Sequence, residues 1–168
     1  RPALPQAGMA IVENRTGAVV AMGGGMGEKT ANLVTNRAAD IERQPGSSIK
    51  PLVAYGPAID MGKITGATMI NDEEVFMNPY APNEPWPTNF YDGYFGWMTV
   101  RNSLKLSNNV PAVKILNMVG TDNARYYLDR VGIDRMQDEA QLSMAVGAFQ
   151  QGMSPLEMAS AFTVFANN

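Results

Sequence analysis

The sequence predicts an α+β domain in which one β-hairpin precedes a mainly helical region. Three observations predict it: two β-branched runs flank an Asn/Gly turn near the start, helical spacing of apolar residues prevails after residue 99, and no other segment has a clear strand pattern. The chain has 168 residues, 45% of them hydrophobic and 17% charged. This is the size and composition of one globular domain or of part of one.

The hairpin is predicted over residues 7–22, where two short apolar runs surround the turn at 14–17. Three consecutive glycines, at 23–25, end its second strand, and residues 23–46 are predicted to be a loop. A two-stranded hairpin is marginally stable in water by itself. We therefore expect the sheet to be completed by residues beyond 168 or by a second polypeptide.

A helix is predicted over residues 47–60, with Gly62 as its end. Its apolar residues share roughly one face: Ile49, Leu52, Val53 and Ile59. Pro51 fits the first turn, whereas Pro57 should kink or shorten the helix because proline cannot donate a backbone hydrogen bond.

Residues 71–98 are rich in proline and aromatic residues and are predicted to form a long ordered loop or a wall that faces a substrate. For its large rings, packing within the loop is favoured over stacking on a substrate. The rings concerned are Trp86, Phe90, Tyr94 and Trp97.

Four helices are predicted in the remaining helical region, 99–168, at about 99–106, 110–119, 122–131 and 154–167. The last one has the clearest start, since Ser154 can cap it, Pro155 occupies the first helical position and Glu157 completes a capping box. The whole chain, 1–168, is thus expected to be the N-terminal part of one domain.

The composition excludes several classes of function. The chain contains neither Cys nor His, so it has no disulfide, no thiol catalysis, no Ser-His-Asp triad and no structural zinc site. Neither a metal nor another cofactor is predicted. The formal charge of −3 is not concentrated in any block, which disfavours nucleic acid as a partner. No stretch has the length of a membrane span or the pattern of a signal peptide.

Ser47 and Lys50 form a Ser-x-x-Lys pattern at the start of the predicted helix, where both side chains can lie on one face. A serine hydroxyl is a poor nucleophile until a base removes its proton. In a chain without His, a buried Lys with a lowered pKa is the obvious base. A helix cap next to a solvated Lys is the competing interpretation of this common spacing.

Ser107 and Asn109 form a Ser-x-Asn pattern between two predicted helices. The functional interpretation is a loop that presents the Ser107 hydroxyl for proton relay and the Asn109 amide for binding a substrate amide. A polar turn between helices is the simpler alternative.

Ser-x-x-Lys followed some sixty residues later by Ser-x-Asn resembles the penicillin-recognising serine acyltransferases and β-lactamases. Further stretches fit the same family: Asn-Arg-Ala at 36–38, Arg-Gln-Pro-Gly-Ser-Ser-Ile-Lys-Pro at 43–51, Leu-Ser-Asn-Asn-Val-Pro-Ala-Val at 106–113, Leu-Ser-Met-Ala-Val-Gly at 142–147, Gly-Met-Ser-Pro-Leu-Glu-Met-Ala at 152–159 and Phe-Ala-Asn-Asn at 165–168. Together they resemble the transpeptidase domain of a class A, bifunctional penicillin-binding protein.

The resemblance implies the penicillin-recognising fold, an antiparallel sheet flanked by helices, and an enzyme that cross-links peptidoglycan stem peptides ending in D-Ala-D-Ala. It implies that Ser47 attacks the peptide carbonyl, Lys50 takes its proton, Ser107 passes the proton to the leaving amine and Asn109 binds the substrate amide. β-Lactams would acylate Ser47. It also implies a site on the extracytoplasmic face of the bacterial membrane, with the anchor outside this chain.

One family motif has no counterpart here. A Lys-Thr-Gly strand should follow Asn109, but the only similar stretch, Lys29-Thr30-Ala31, precedes Ser47 and lacks the glycine. We expect a C-terminal segment or a second polypeptide to supply that strand.

Three alternatives stay open. A β-lactamase or D,D-carboxypeptidase would need a resolving water, for which no deacylating Glu is recognisable. A non-catalytic receptor for β-lactams or wall peptides would acylate at Ser47 without turnover of D-Ala-D-Ala. A structural wall-binding module would show no acylation.

Overall fold

The structure is a computed structural model that describes residues 5–29, 31–137 and 139–167. It confirms the α+β class, with short antiparallel ribbons and several helices. The expectations that touch Thr30 and Asn168 lie outside the described residues.

The chain divides into two compact units. Unit 1 consists of Arg1–Gln44, Leu128–Asp138 and Gln150–Asn168, and unit 2 consists of Pro45–Tyr127 and Glu139–Phe149. Because the chain enters each unit more than once, the fold is set by contacts between segments that are distant in sequence.

Unit 1 contains the hairpin, whose strands β1 (Met9–Val12) and β2 (Val19–Gly23) pair antiparallel. The turn between them is closed by Gly17, whose φ of 73° lies in the left-handed region that glycine tolerates. Helix α5 (Pro155–Phe162) packs on β1 and is followed by a 3₁₀ turn at Thr163–Phe165.

The start of α5 has the capping box that its sequence predicts. The Ser154 hydroxyl accepts a hydrogen bond from the Glu157 amide at 3.2 Å, and the Glu157 carboxylate accepts one from the Ser154 amide at 2.7 Å. Two of the backbone donors at this helix end are thereby satisfied.

Unit 2 is built around a continuous helical segment, residues 46–60, here called the Ser47 helix. It is a 3₁₀ turn at Gly46–Ile49, a π-helical stretch at Pro51–Tyr55 and a short α-helix, α1, at Gly56–Asp60. The amide of Gly56 donates to the Pro51 carbonyl five residues back. Since prolines 51 and 57 have no N–H, regular α-helical bonding cannot run through the segment.

The Ser47 helix is more buried than its sequence predicts. All of Leu52–Tyr55 is buried, on every side of the π-helical turn, rather than a single stripe. Ile59, expected on the buried face, is 51% exposed. The change from π-helix to α-helix after Tyr55 alters the number of residues per turn, so simple helical spacing does not predict the face on which Ile59 lies.

A second ribbon, absent from the sequence prediction, borders the proline-rich segment. Strands β3 (Met69–Asp72) and β4 (Gly96–Thr99) pair antiparallel, so the expected loop over 71–98 begins and ends in strand. They do not join the hairpin, and each sheet has two strands among the described residues. The sequence has no clear strand pattern at these positions, because both strands are short and neither contains a β-branched run.

Unit 2 also holds helices α2 (Val100–Lys105) and α3 (Asn109–Val119), and a 3₁₀ turn at Leu142–Val146. Helix α4 (Thr121–Arg130) follows α3 along the chain. Helix α3 packs against the Ser47 helix and the 142–146 turn, and it supplies much of the core. Its buried apolar residues are Val110, Ala112, Val113, Ile115, Leu116 and Val119.

Across the described ranges, no helix is long and apolar enough to cross a lipid bilayer. The same residues contain no group of three or more acidic side chains arranged to hold a metal ion.

Candidate functional site

Lys50 lies at the junction between the 3₁₀ and π-helical parts of the Ser47 helix, and its side chain is buried. Its ammonium donates to the carbonyl of Ser107 at 2.6 Å, the carbonyl of Asn108 at 3.2 Å and the side-chain oxygen of Asn109 at 2.8 Å. The Ser107 hydroxyl lies 3.2 Å from the same nitrogen. The structure therefore brings Lys50 of the first motif together with both polar residues of the second.

Burial lowers the pKa of Lys50 from its ordinary 10.5 to about 8, since a charged amine loses hydration when it leaves water. At pH 7 about one such amine in ten is neutral, compared with fewer than about one in a thousand at the ordinary pKa. A neutral fraction of this size lets Lys50 accept a proton near neutral pH.

Ser47 lies one turn before Lys50, in the 3₁₀ part of the helix, and it is exposed. Over the part of the chain that the structure describes, its hydroxyl has no hydrogen-bond partner, and Lys50 is turned toward the Ser107 loop. The neighbouring Ser48 hydroxyl donates to the Pro45 carbonyl at 2.6 Å. Of the two adjacent serines, Ser47 is the one whose hydroxyl is available to a ligand.

Ser107 has a φ of 56°, in the left-handed region that is uncommon for residues other than glycine. This conformation lets one residue present both its carbonyl and its hydroxyl to Lys50. Strained backbone of this kind persists only where the surroundings impose it, and it is often found at functional sites.

Asn109 begins α3, and its side chain is held at both ends. The side-chain oxygen accepts from Lys50, and the side-chain nitrogen donates to the Thr88 carbonyl at 2.8 Å. One amide proton is left to donate to a ligand. The predicted site residues other than Ser47 thus form one hydrogen-bonded cluster.

Sequence reasoning missed Asp72, which lies beneath this cluster at the end of β3 and is fully buried. Its carboxylate accepts hydrogen bonds from Asn89, Tyr91, the Phe95 amide and Asn108. No spacing signal could have identified it, because its partners come from three separate stretches of the chain.

Gly147 ends the 142–147 stretch that the resemblance includes, but the sequence indicated no structural role for it. It has a φ of 82°, and a Cβ built on it would lie 2.3 Å from the backbone of Gly46. The backbone after the 142–146 turn therefore packs directly against the residue before Ser47, and only glycine permits this approach.

The large aromatic side chains of the proline-rich segment are more exposed than expected. Phe90 is 77% exposed and Trp97 69% exposed, although Phe90 contacts the ring of Tyr91 edge to face. Phe90 thus makes one ring contact within the loop, and the preference for packing over substrate stacking stays a prediction. The Thr88 carbonyl and the Asn89 side-chain oxygen, next to Phe90, accept hydrogen bonds from Asn109.

The sequence matches the family model described as "Penicillin binding protein transpeptidase domain" over residues 7–168. Penicillin-binding protein 1A of Clostridium botulinum is 38% identical over 98% of this chain, and penicillin-binding protein 4 of Bacillus subtilis is 34% identical over 97%. The chain spans 21% and 25% of these two relatives.

Two solved structures are similar to this one. The crystal structure of penicillin-binding protein 1A from Haemophilus influenzae has a TM-score of 0.83 at 32% identity, over 96% of this chain and 23% of that chain. Pseudomonas aeruginosa PBP2, in complex with WCK 5153, has a TM-score of 0.78 at 17% identity, over 96% of this chain and 47% of that chain, and shows a shared fold.

The chain therefore has the fold of the penicillin-recognising proteins. Within that class, the chain belongs to the transpeptidase family of penicillin-binding proteins, and its relatives place it with the class A members.

Proposed function

We propose that this chain carries the nucleophile half of a serine D,D-transpeptidase that cross-links peptidoglycan stem peptides and is acylated by β-lactams. The observation that carries the proposal is the environment of Lys50. The competing interpretation, a helix cap next to a solvated Lys, requires an exposed amine, whereas Lys50 is buried. A buried amine with a pKa of about 8 suits a general base.

Ser47 is the nucleophile in this proposal. Its oxygen forms a bond to the carbonyl carbon of the penultimate D-Ala as its proton passes to neutral Lys50. The peptide C–N bond then breaks, and the proton reaches the leaving D-Ala amine through the Ser107 hydroxyl, which lies 3.2 Å from the Lys50 nitrogen. The amine of a second stem peptide then attacks the acyl carbon, the carbon–oxygen bond to Ser47 breaks, and the proton that the amine loses returns to the Ser47 oxygen.

Asn109 binds the substrate amide in this scheme. Its side-chain oxygen faces Lys50 and its nitrogen faces the Thr88 carbonyl, so its orientation is fixed before a ligand arrives. A preorganised donor costs no rearrangement when the substrate binds.

A Lys-Thr-Gly strand, from a C-terminal segment or a second polypeptide, completes the site in this proposal. We use the term completed domain for a polypeptide or complex that contains both residues 1–168 and such a strand. Exposed apolar residues on the hairpin, including Ile11 and Val20, offer a surface for further strands. The completed domain acts on the outer face of the cell membrane, with an anchor outside this chain.

Intact-protein mass spectrometry of the completed domain after penicillin treatment tests the proposal. Ser47→Ala should abolish the covalent adduct. Ser48→Ala is the matched control and should keep it, since the Ser48 hydroxyl is bonded to the Pro45 carbonyl. An adduct that persists in Ser47→Ala would contradict the proposal.

Turnover separates the alternatives. A transpeptidase releases D-Ala and joins two stem peptides, whereas a β-lactam receptor forms the adduct and releases no D-Ala. A β-lactamase or carboxypeptidase instead hydrolyses the acyl-enzyme without needing an acceptor amine. A wall-binding module forms no adduct.

A further inference from the structure

We propose that Asp72 is a positioning residue for the acylation step, acting through Asn89 and Asn108 on the loop that holds Lys50. The inference rests on the proposed function, because it assigns Asp72 a part in the chemistry of that same site. Asp72 does not touch a substrate in this proposal.

The polar neighbours of Asp72 are hydrogen-bond donors. One carboxylate oxygen accepts from Asn89 Nδ2 at 2.9 Å, and the other accepts from the Tyr91 hydroxyl at 2.8 Å, the Phe95 amide at 3.0 Å and Asn108 Nδ2 at 3.1 Å. An ionised carboxylate can only accept hydrogen bonds, and all four of these neighbours donate.

The first connection from Asp72 to the site runs through Asn89. With its nitrogen held by Asp72, the Asn89 side chain turns its oxygen to the backbone amide of Asn109, which donates to it at 2.9 Å. The next carbonyl upstream, that of Thr88, accepts from the Asn109 side chain. Asp72 thereby fixes the peptide segment that orients Asn109.

The second connection runs through Asn108, the middle residue of the Ser-x-Asn motif. Its side-chain nitrogen donates to Asp72, and its backbone carbonyl accepts from Lys50 at 3.2 Å. Among the described residues, the buried side-chain oxygen of Asn108 has no hydrogen-bond partner. Its orientation therefore depends on the donors at the other end of the amide, chiefly on the bond to Asp72.

The geometry points to an indirect role because no bond joins Asp72 to Lys50 directly. Between them stand the backbone and side chain of Asn108. Loss of Asp72 would let the Ser107 loop shift relative to Lys50, and a displacement of about 1 Å in such a site can cost about a hundredfold in rate.

The experiment compares Asp72→Asn with wild type in the completed domain. The rate constant of acylation at saturating β-lactam, per titrated active site, is expected to fall by about tenfold to a hundredfold. The apparent dissociation constant of the non-covalent complex should change by less than about threefold. Glu73→Gln is the matched control, since this neighbouring carboxylate contacts Lys114 on the surface and should leave the rate unchanged.

A reciprocal exchange, Asp72→Asn combined with Asn89→Asp, makes the test specific to hydrogen bonding. The new amide at 72 can donate to the new carboxylate at 89 and still accept from its other three neighbours. The carboxylate at 89 can still accept from the Asn109 amide. We expect the double variant to recover the rate to within about threefold of wild type.

Several outcomes would overturn the proposal. One is a normal rate per active site in Asp72→Asn, with only the number of active sites or the melting temperature reduced, because a merely structural role predicts this. Another is a folded double variant that remains as slow as the single one. If Asp72→Asn does not fold, Asn89→Ala breaks the first connection without removing the carboxylate, and a normal rate in that variant would equally overturn the proposal.

Discussion

The two antiparallel ribbons of this chain are of similar size but have different surroundings. The hairpin β1–β2 has no buried residue, although α5 packs on β1, and Ile11 is 47% and Val20 62% exposed. The ribbon β3–β4 buries Ile70 and Asp72 and supports the residues around Lys50. Both ribbons are antiparallel pairs, so strand direction does not distinguish them, and the packing of β3–β4 against other elements is what places it among the site residues.

The two ribbons also differ in how well they can be predicted from the sequence. The hairpin has β-branched runs and a short turn, which are local signals. The strands of the second ribbon are separated by residues 73–95, and their favourable strand formers, Ile70, Trp97 and Thr99, are interspersed with Asn, Asp and Gly, which are depleted in strands. Its existence follows from tertiary contacts.

The largest expected effect concerns the buried amine of Lys50, which is connected to the second ribbon through Asn108. Lys50→Arg keeps the positive charge, but a guanidinium cannot become neutral near pH 8. We expect the acylation rate of the completed domain to fall by about a hundredfold or more. Stopped-flow measurement with a chromogenic β-lactam checks this.

Lys114→Arg is the matched control for that substitution. Lys114 donates to the Asn71 carbonyl and pairs with Glu73 at the edge of the same ribbon. Its replacement should leave the rate near that of wild type. Near-normal acylation by Lys50→Arg would remove the general-base role.

A second prediction compares the two faces of β3. Ile70 is 5% exposed, and Ile70→Ala should lower the free energy of unfolding of the completed domain by about 2–5 kcal/mol. Met69, the preceding residue, is half exposed, and Met69→Ala should change the free energy of unfolding by less than about 0.5 kcal/mol. Denaturant unfolding measures both, and equal effects would show that the ribbon has no buried face.

A third prediction sharpens the contrast between the ribbons by hydrogen exchange. In residues 1–168 alone, the backbone amides of Ile11 and Val20 should exchange rapidly. In the completed domain their protection should rise by at least about tenfold, whereas that of Ile70 and Met98 changes by less than about threefold. Unchanged protection of the hairpin would contradict the proposal that further strands cover it.

The smallest expected effect is a pH dependence. The neutral form of Lys50 is the base, and its fraction grows as pH rises through a pKa of about 8. The acylation rate should therefore rise about fivefold between pH 7 and pH 8 and less than twofold between pH 8 and pH 9. The residual rate of Lys50→Arg, measured over the same range, corrects for other titrating groups, and a flat profile would contradict the prediction.

The sequence by itself determined the fold class, the hairpin and the family, and it indicated Ser47, Lys50, Ser107 and Asn109 as candidates. These features are readable because each depends on residues a few positions apart, or on motifs that follow one another in a fixed order. The roles of the four residues remain proposals that the acylation experiments address.

The tertiary structure alone decided the rest. The partners of Asp72 lie 17, 19, 23 and 36 positions away, so no local pattern marks this buried carboxylate. Gly147 is required only because the chain returns to within contact of Gly46. The lowered pKa of Lys50 likewise arises from burial, which depends on how segments far apart in the sequence pack together.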